Sequence, residues 1–128
     1  MIIDSSAFIA MVRLEPEGED FAKRIQDAPL AAMSAATYVE LSIVMTRMGI
    51  ADAADEIDGI IDRMGIAVIP VTREQARLAA DAFQRYGKGR HPAGLNFGDC
   101  FPYALARECG EKLLFKGGDF PLTDIKPA

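Results

Sequence analysis

The chain has 128 residues, of which half are hydrophobic and 26% are charged, and we expect residues 1–128 to form one domain with a substantial core. Its net charge of −5 argues against a protein that holds nucleic acid on a broadly basic surface, but not against a nuclease, since carboxylates around a metal count as negative until the cation neutralises them. No apolar run approaches the roughly 20 residues of a membrane span, and the first residues lack the basic and apolar regions of a signal peptide, so we expect a cytoplasmic protein without membrane attachment.

Short apolar runs alternate along the chain with longer amphipathic patterns. The runs typical of buried strands are 1–3, 30–33, 66–69 and 112–115, and a short fifth strand is expected at 123–125. Helical periodicity is present at 7–10, 16–28, 35–48, 50–64, 73–85 and 97–109. This alternation predicts an α/β fold in which a parallel sheet of four to five strands is flanked by helices on both faces.

The last predicted helix begins with a clear capping signal. Asn96 is a favourable N-cap residue, and Asp99 follows three positions later, where the partner of a capping box lies. Pro102 falls beyond the first turn, where it removes a backbone hydrogen bond at a cost of roughly 3 kcal/mol if nothing compensates. We therefore expect a capped helix with a kink close to Asp99.

Four acidic residues stand where solubility alone does not explain them. They are Asp4 at the end of the first strand, Glu40 inside an apolar helical stretch, Asp99 in the first turn of the last helix and Asp119 in a glycine turn after the fourth strand. Because parallel strands present their carboxyl ends at one edge of a sheet, these segments can converge there. Each acid also has a local explanation: a helix cap, a side chain that reaches solvent, a capping box and a turn, respectively.

Four carboxylates in one place would favour a hard cation. Oxygen ligands suit Mg²⁺ or Mn²⁺, whereas zinc is disfavoured because the one histidine, His91, lies alone in a loop. Such a cation can activate water and stabilise the attacking and leaving oxygens of a phosphodiester. The acids therefore point to phosphodiester chemistry as one function that the chain can have.

Four segments carry a family resemblance: Ile2-Ile3-Asp4-Ser5-Ser6-Ala7, Thr37-Tyr38-Val39-Glu40-Leu41, Gly98-Asp99-Cys100 and Leu113-Leu114-Phe115-Lys116-Gly117-Gly118-Asp119-Phe120. Their order and spacing resemble a PIN domain, and most closely the VapC toxins of bacterial toxin–antitoxin pairs. The resemblance implies a metal-dependent ribonuclease that forms a homodimer and that a VapB-type antitoxin holds inactive. By position, it implies that the catalytic, metal-binding acids are Asp4, Glu40, Asp99 and Asp119. The polar residues that would support these acids from the surrounding layer are Ser6, Thr37 and Asn96.

Three basic residues are candidates for contact with RNA phosphates. Lys116 adjoins the acidic turn, whereas Lys88 and Arg90 lie in a glycine-rich loop that could equally be a solvated surface. We expect Lys116 to be the most direct of these contacts.

The chain departs from the family pattern at two positions. Related sequences commonly have an aspartate where this chain has Gly118, so Asp119 is the only carboxylate left in the turn. Together with Pro102, this leaves open a second hypothesis, a catalytically weakened module that binds antitoxin or RNA. A third hypothesis, a phosphoryl-transfer enzyme with Asp4 as its nucleophile, lacks the lysine and threonine set that such an enzyme needs.

Overall fold

The computed structural model describes residues 1–128 and contains one four-stranded parallel sheet with the strand order β3-β2-β1-β4. In chain order the elements are β1 (Ile2–Ile3), α1 (Ser5–Val12), α2 (Gly18–Asp27), β2 (Ala31–Ser34), α3 (Ala35–Arg47), α4 (Ala53–Met64), β3 (Ile66–Ile69), α5 (Arg73–Tyr86), α6 (Phe97–Cys109), β4 (Leu113–Leu114) and a 3₁₀ helix (Phe120–Leu122). None of these helices is long and apolar enough to cross a bilayer. The α/β class, the parallel sheet and its four main strands are as predicted.

The sheet is covered on both faces because successive strand residues point to opposite sides. Ile2 belongs to a core cluster with residues of α5 and α6, whereas Ile3 belongs to a second cluster with residues of α1 to α4. Leu113 and Leu114 divide between the two clusters in the same way. Two helices therefore cover one face of the sheet and four cover the other, as the strand–helix alternation predicted.

The strand order places a crevice at one edge of the sheet. The chain adds β2 and β3 on one side of β1 and then returns to add β4 on the other side. In open parallel sheets, ligands bind beyond the carboxyl ends of the strands where the order reverses in this way. Asp4, directly after β1, donates its backbone N–H to the Leu114 carbonyl of β4 at 2.9 Å, so it lies at this reversal point.

The predicted fifth strand at 123–125 is wrong. The chain instead forms the 3₁₀ helix and then a single parallel bridge between Pro127 and Leu113 of β4. The Thr123 hydroxyl donates to the Phe120 carbonyl at 2.7 Å and accepts the Ile125 N–H at 3.2 Å. This side chain thereby satisfies local backbone groups, and such bonds compete with strand pairing.

The last helix continues through its proline. α6 extends without interruption from Phe97 to Cys109, and Pro102 is buried within it. The proline therefore does not end the helix, and the kink expected beside it stays a prediction. Because Pro102 has no N–H, the carbonyl group of Gly98, four residues earlier, lacks its usual helical donor.

Candidate active site

Three of the four predicted acids line one cleft. Asp4, Glu40 and Asp99 contribute to the wall of a cavity of about 520 Å³ that lies between α3, α6 and the start of α1. Ser6 and Asn96 line the same cleft. The sequence prediction that separate acidic segments converge at the carboxyl edge of the sheet is therefore confirmed in geometry for these three acids.

Asp4 is buried, and the two oxygens of its carboxylate differ in their hydrogen bonds. It is the N-cap residue of α1, and its Oδ2 accepts hydrogen bonds from the Ser6 backbone N–H, at 2.9 Å, and from the Ser6 hydroxyl. Its Oδ1 is buried and has no hydrogen-bond donor, although the residue is only 3% exposed. Burial raises the pKa of the Asp4 carboxyl, and the nearby charge of Glu40 raises it further by a smaller amount. One oxygen is thus fixed in place, and the other has no partner in the protein.

Glu40 reaches the cleft because α6 has no side chain at the point of contact. A β-carbon built on Gly98 would lie 1.6 Å from Glu40 Oε2 and 2.7 Å from its carboxyl carbon. Any residue other than glycine would therefore collide with the carboxylate where it now lies. The missing side chain lets the half-buried Glu40 of α3 lie directly against the first turn of α6.

Asp99 has a structural and an electrostatic role at once. Its N–H donates to Asn96 Oδ1 and its Oδ2 accepts the Asn96 N–H, both at 2.9 Å, so the predicted capping box is formed. Burial raises the pKa of Asp99 to about 6, with smaller increments from the charges of Asp4, Glu40 and Asp119. The cap fixes the side chain with one oxygen and leaves Oδ1 for another partner.

Asp119 stands apart from the other three acids. It is exposed, it precedes the 3₁₀ helix, and it is not part of the cleft wall. Its charge still acts on Asp99, so it lies within electrostatic reach of the cleft. It follows two glycines, of which Gly117 has a φ of +108° that favours glycine, whereas a β-carbon on Gly118 would meet nothing within 4 Å.

Lys116 connects this turn to the rest of the site. Its backbone N–H donates to the Ser6 hydroxyl at 2.9 Å, and that hydroxyl in turn donates to Asp4. Its ammonium group forms ion pairs with Glu15 and, at 2.7 Å, with Glu17 in the connection between α1 and α2. The ammonium group that we expected to contact RNA therefore has two carboxylate partners in this structure.

The remaining predicted residues lie outside the cleft wall. Lys88 and Arg90 are exposed in the loop before α6, where Arg90 Nε donates to the Gln84 carbonyl at 3.1 Å. Thr37 is buried on α3, and its hydroxyl oxygen has no hydrogen-bond partner. Their roles in RNA contact and in support of the acids stay predictions.

Sequence reasoning missed the residues that complete the cleft. They include Val39, Val44 and Arg47 of α3 and Phe97 and Phe101 of α6. The signal was present, because Ile43, Val44 and Arg47 follow Glu40 at helical spacings of three, four and seven residues. Arg47 lies in the last turn of α3, where a cation is favourable for the helix alone, and only the approach of α6 makes this face the wall of a cleft.

The donor set fits a hard divalent cation. The buried Asp4 Oδ1 has no protein partner, and such an atom is costly to bury unless something binds it. No group of three or more aspartate, glutamate, histidine or cysteine side chains is already arranged to hold a metal ion. Mg²⁺ does not require such a group, since it usually binds one or two carboxylates and keeps several waters. Asp4, with Glu40 or Asp99, would be sufficient to hold it.

Comparison with known proteins identifies the family. The sequence profile of the PIN domain matches residues 1–126. The chain is 45% identical over 125 residues to "Ribonuclease VapC" of Mycolicibacterium smegmatis, covering 98% of this chain and 97% of that protein. It is 44% identical over a 129-residue alignment to "Ribonuclease VapC42" of Mycobacterium tuberculosis, covering 100% and 98% respectively.

Solved structures support the same fold. The crystal structure of Mycobacterium tuberculosis VapC20, described as a toxin that cleaves the sarcin–ricin loop, aligns with a TM-score of 0.74 at 20% identity and covers 98% of each chain. A chain of a toxin–antitoxin complex from Klebsiella pneumoniae aligns with a TM-score of 0.71 at 16% identity, covering 93% of this chain and 88% of the other. At these identities the structural matches establish the fold, and the family follows from the sequence matches. This chain belongs to the PIN domain family, among the VapC ribonucleases.

Proposed function

We propose that this protein is the toxin of a type II toxin–antitoxin pair and acts as an endoribonuclease. The observation that carries the proposal is the buried Asp4 carboxylate, whose Oδ1 has no hydrogen-bond partner, in a residue that lines one cleft with Glu40 and Asp99. Family membership supplies the reaction class, because the relatives at 44–45% identity are named ribonucleases. Residues 1–128 would act as one domain.

The acids have separable tasks in this proposal. Asp4, oriented by both Ser6 hydrogen bonds, would be the principal ligand of a divalent cation, Mg²⁺ or Mn²⁺. Glu40 and Asp99 would be the other ligands in the cleft, and Asp119 would approach from the turn after β4. When bound, such a cation lowers the pKa of water and neutralises charge that develops on a phosphodiester.

The surrounding residues hold these groups in position. Asn96 keeps Asp99 in one orientation through the capping box, and Gly98 keeps α6 close enough for Glu40 to enter the cleft. Burial, and to a smaller extent the charges of the neighbouring carboxylates, raises the pKa values of Asp4 and Asp99, and both effects favour proton or cation uptake. Asp99, with a pKa of about 6, is mostly ionised at neutral pH, and at more acidic pH a bound cation would displace its proton.

The VapC relatives support an antitoxin as the partner of this chain. We propose a VapB-type antitoxin, an RNA substrate and a homodimer, as the family resemblance implies, and a cytoplasmic location, as expected from the sequence. A homodimer would have to be measured directly, for example by light scattering of the purified toxin with and without antitoxin.

Metal-dependent cleavage of RNA tests the function. The purified protein is incubated with cellular RNA in EDTA and then with Mg²⁺ or Mn²⁺ in excess, with Asp4→Asn protein purified in parallel to reveal contaminating nucleases. We expect cleavage only with the cation, only by the native protein, and suppressed by the antitoxin encoded beside it. If the protein binds antitoxin and RNA but cleaves no RNA with either Mg²⁺ or Mn²⁺, the result would instead support the second hypothesis, a catalytically weakened binding module.

A further inference from the structure

Asp124 follows the 3₁₀ helix and has side-chain partners on two other helices. Its Oδ1 accepts a hydrogen bond from the Tyr103 hydroxyl at 2.6 Å, and its Oδ2 accepts one from Arg107 Nη1 at 3.0 Å, both from α6. Arg85 of α5 adds an ion pair, with 3.5 Å between its Nη2 and the same Oδ2. Asp124 is not part of the cleft wall, so the proposed reaction does not account for these bonds.

The bond from Tyr103 differs from the two arginine contacts because the tyrosine is buried. Tyr103 is 2% exposed, whereas the side chains of Arg85 and Arg107 are each 45% exposed. Exposed ion pairs are weak and screened by salt, but a buried hydroxyl requires a hydrogen-bond partner. Burial, and to a smaller extent the bond to Asp124, raises the pKa of Tyr103, so the phenol keeps its proton and donates. The phenol therefore gives Asp124 a fixed position against α6.

Local hydrogen bonds make the connection from Asp124 back to Asp119 compact. The Asp119 carbonyl accepts the Leu122 N–H at 3.2 Å. The Phe120 carbonyl accepts the Thr123 N–H at 2.9 Å and the hydroxyl of the same residue at 2.7 Å. The Phe120 side chain is 3% exposed and belongs to the core cluster that includes residues of α5 and α6. A displacement of Asp124 is therefore carried to Asp119, because no flexible linker lies between them.

Helix α6 carries an acid of the cleft one turn before the contact with Asp124. Asp99 precedes Tyr103 by four residues, so the two side chains lie on the same side of the helix. Burial is the main cause of the raised pKa of Asp99, and the charge of Asp119 contributes a smaller part, so these two acids are within electrostatic reach of each other. The hydrogen bond between Tyr103 and Asp124 thus joins the helix that holds Asp99 to the segment that holds Asp119.

The turn before Asp119 does not fix this acid by itself. The turn is anchored at its start, where the Lys116 N–H donates to the Ser6 hydroxyl, but two glycines follow, and glycine restricts the backbone less than any other residue. Phe120 holds the far side of the turn in the core, but apolar packing is non-directional. The orientation of the 3₁₀ helix, and with it the position of Asp119, therefore depends on the bonds that Asp124 makes.

We propose that Asp124 is a positioning residue for the metal site. Its bonds to α6 hold the segment after β4 so that Asp119 stays within reach of Asp99, and they thereby raise the affinity of the cleft for a divalent cation. The inference rests on the proposed metal site, to which it adds a residue that contacts neither cation nor RNA. Stabilisation of the fold alone is the competing role, and it would lower the melting temperature of an Asp124 variant without changing its affinity for metal.

Mn²⁺ binding to RNA-free protein, followed by the electron paramagnetic resonance of the free ion, separates the two roles. Asp124→Asn should raise the dissociation constant by about three- to tenfold, the lower range for a residue that supports a metal ligand. Tyr103→Phe, which leaves both arginine contacts in place, should raise it less. Gln75→Leu is the matched control, because it removes a 2.7 Å hydrogen bond to Glu108 that also joins α5 to α6 but does not involve the segment after β4. This control should bind Mn²⁺ like native protein.

A double-mutant cycle tests whether Asp124 acts through Asp119. If it does, Asp124→Asn should produce no further loss of Mn²⁺ affinity in a protein that already carries Asp119→Asn, because the acid that it positions is absent. Its effect on the melting temperature should be the same in both backgrounds, since the bonds to α6 do not depend on the Asp119 carboxylate. Thermal melts of every variant ensure that binding is measured on folded protein, and Tyr103→Phe replaces Asp124→Asn in the cycle if the latter does not fold.

The outcomes distinguish this inference from the proposed function. If native protein cleaves RNA but Asp124→Asn binds Mn²⁺ with native affinity and only melts earlier, the positioning role is wrong and the ribonuclease stands. Losses of affinity that simply add in the Asp119→Asn background also overturn the positioning role. If Mn²⁺ affinity changes as expected, including its dependence on Asp119, but no RNA is cleaved, the positioning role stands and the catalytic proposal fails.

Discussion

The neighbouring parallel strands β1 and β4 end at the same edge of the sheet, and the acids that follow them, Asp4 and Asp119, differ in burial and in how firmly they are held. After β1, Asp4 is 3% exposed and its orientation is fixed by two hydrogen bonds from Ser6. After β4, Asp119 is exposed on a turn that contains two glycines. The Ser6 hydroxyl joins the two regions, since it accepts from the Lys116 N–H and donates to Asp4. In the proposed metal site, Asp4 would therefore be a preorganised ligand, whereas Asp119 would be a ligand that the turn brings to the cation.

The largest expected effect comes from the preorganised side. Asp4→Asn keeps the size and capping oxygen of the side chain but removes its charge, so RNA cleavage should fall by at least about 100-fold while the fold is retained. Gel-based cleavage with saturating Mn²⁺ measures the loss. Asp62→Asn, an exposed aspartate of α4, should cleave like native protein. Native activity in the Asp4 variant would remove this carboxylate from the mechanism.

Changes in the β4 turn should have smaller effects. Asp119→Asn should reduce cleavage by about tenfold, chiefly by raising the metal concentration needed for half-maximal activity, because an outer ligand typically affects affinity on this scale. Gly118→Asp should shift that concentration in the opposite direction, since the new side chain has open space and restores a second carboxylate. Metal titrations of both variants check the prediction, which a 100-fold loss in Asp119→Asn would contradict.

Removal of the Lys116 ion pairs should have a still smaller effect on RNA cleavage. Lys116→Met keeps the backbone hydrogen bond to Ser6 but frees the turn from Glu15 and Glu17, so metal activation should weaken by up to about fivefold, the value of one exposed ion pair. Lys112→Met, at the other end of β4, is the control. If the charge exchange Lys116→Glu with Glu17→Lys restores metal activation, the ion pair positions the turn. If Lys116→Met instead lowers RNA affinity and leaves metal activation unchanged, the original prediction of RNA contact is supported.

The smallest expected effect is on stability. The Asp99 pKa is about 6 in the folded protein and near 3.8 when unfolded, so the folded state holds its proton more tightly, and metal-free protein should lose stability as the pH rises through this interval. The melting temperature in EDTA should fall by a few degrees, and Mg²⁺ at neutral pH should restore it. Asp99→Asn should flatten this dependence. An equally steep curve in the variant would assign the effect to Asp4, whose pKa is also raised.

Local signals made much of this structure predictable. The β-branched run before Asp4 and the three-residue spacing from Asn96 to Asp99 each depend on neighbours in the chain, and both formed as expected. The ion pairs of Lys116 could not be predicted, because its partners lie about 100 residues away in the sequence. The terminal strand was wrong because the Thr123 hydroxyl bonds to local backbone groups, which an apolar-pattern argument does not consider.

The role of Gly98 was also invisible in the sequence, and it has a practical consequence. Its missing β-carbon determines how closely α6 can approach the Glu40 carboxylate. Gly98→Ala would keep every charge of the site and change only where one of them can lie. Such a protein would let the geometry of the carboxylates be varied without changing the number or the length of the acidic side chains.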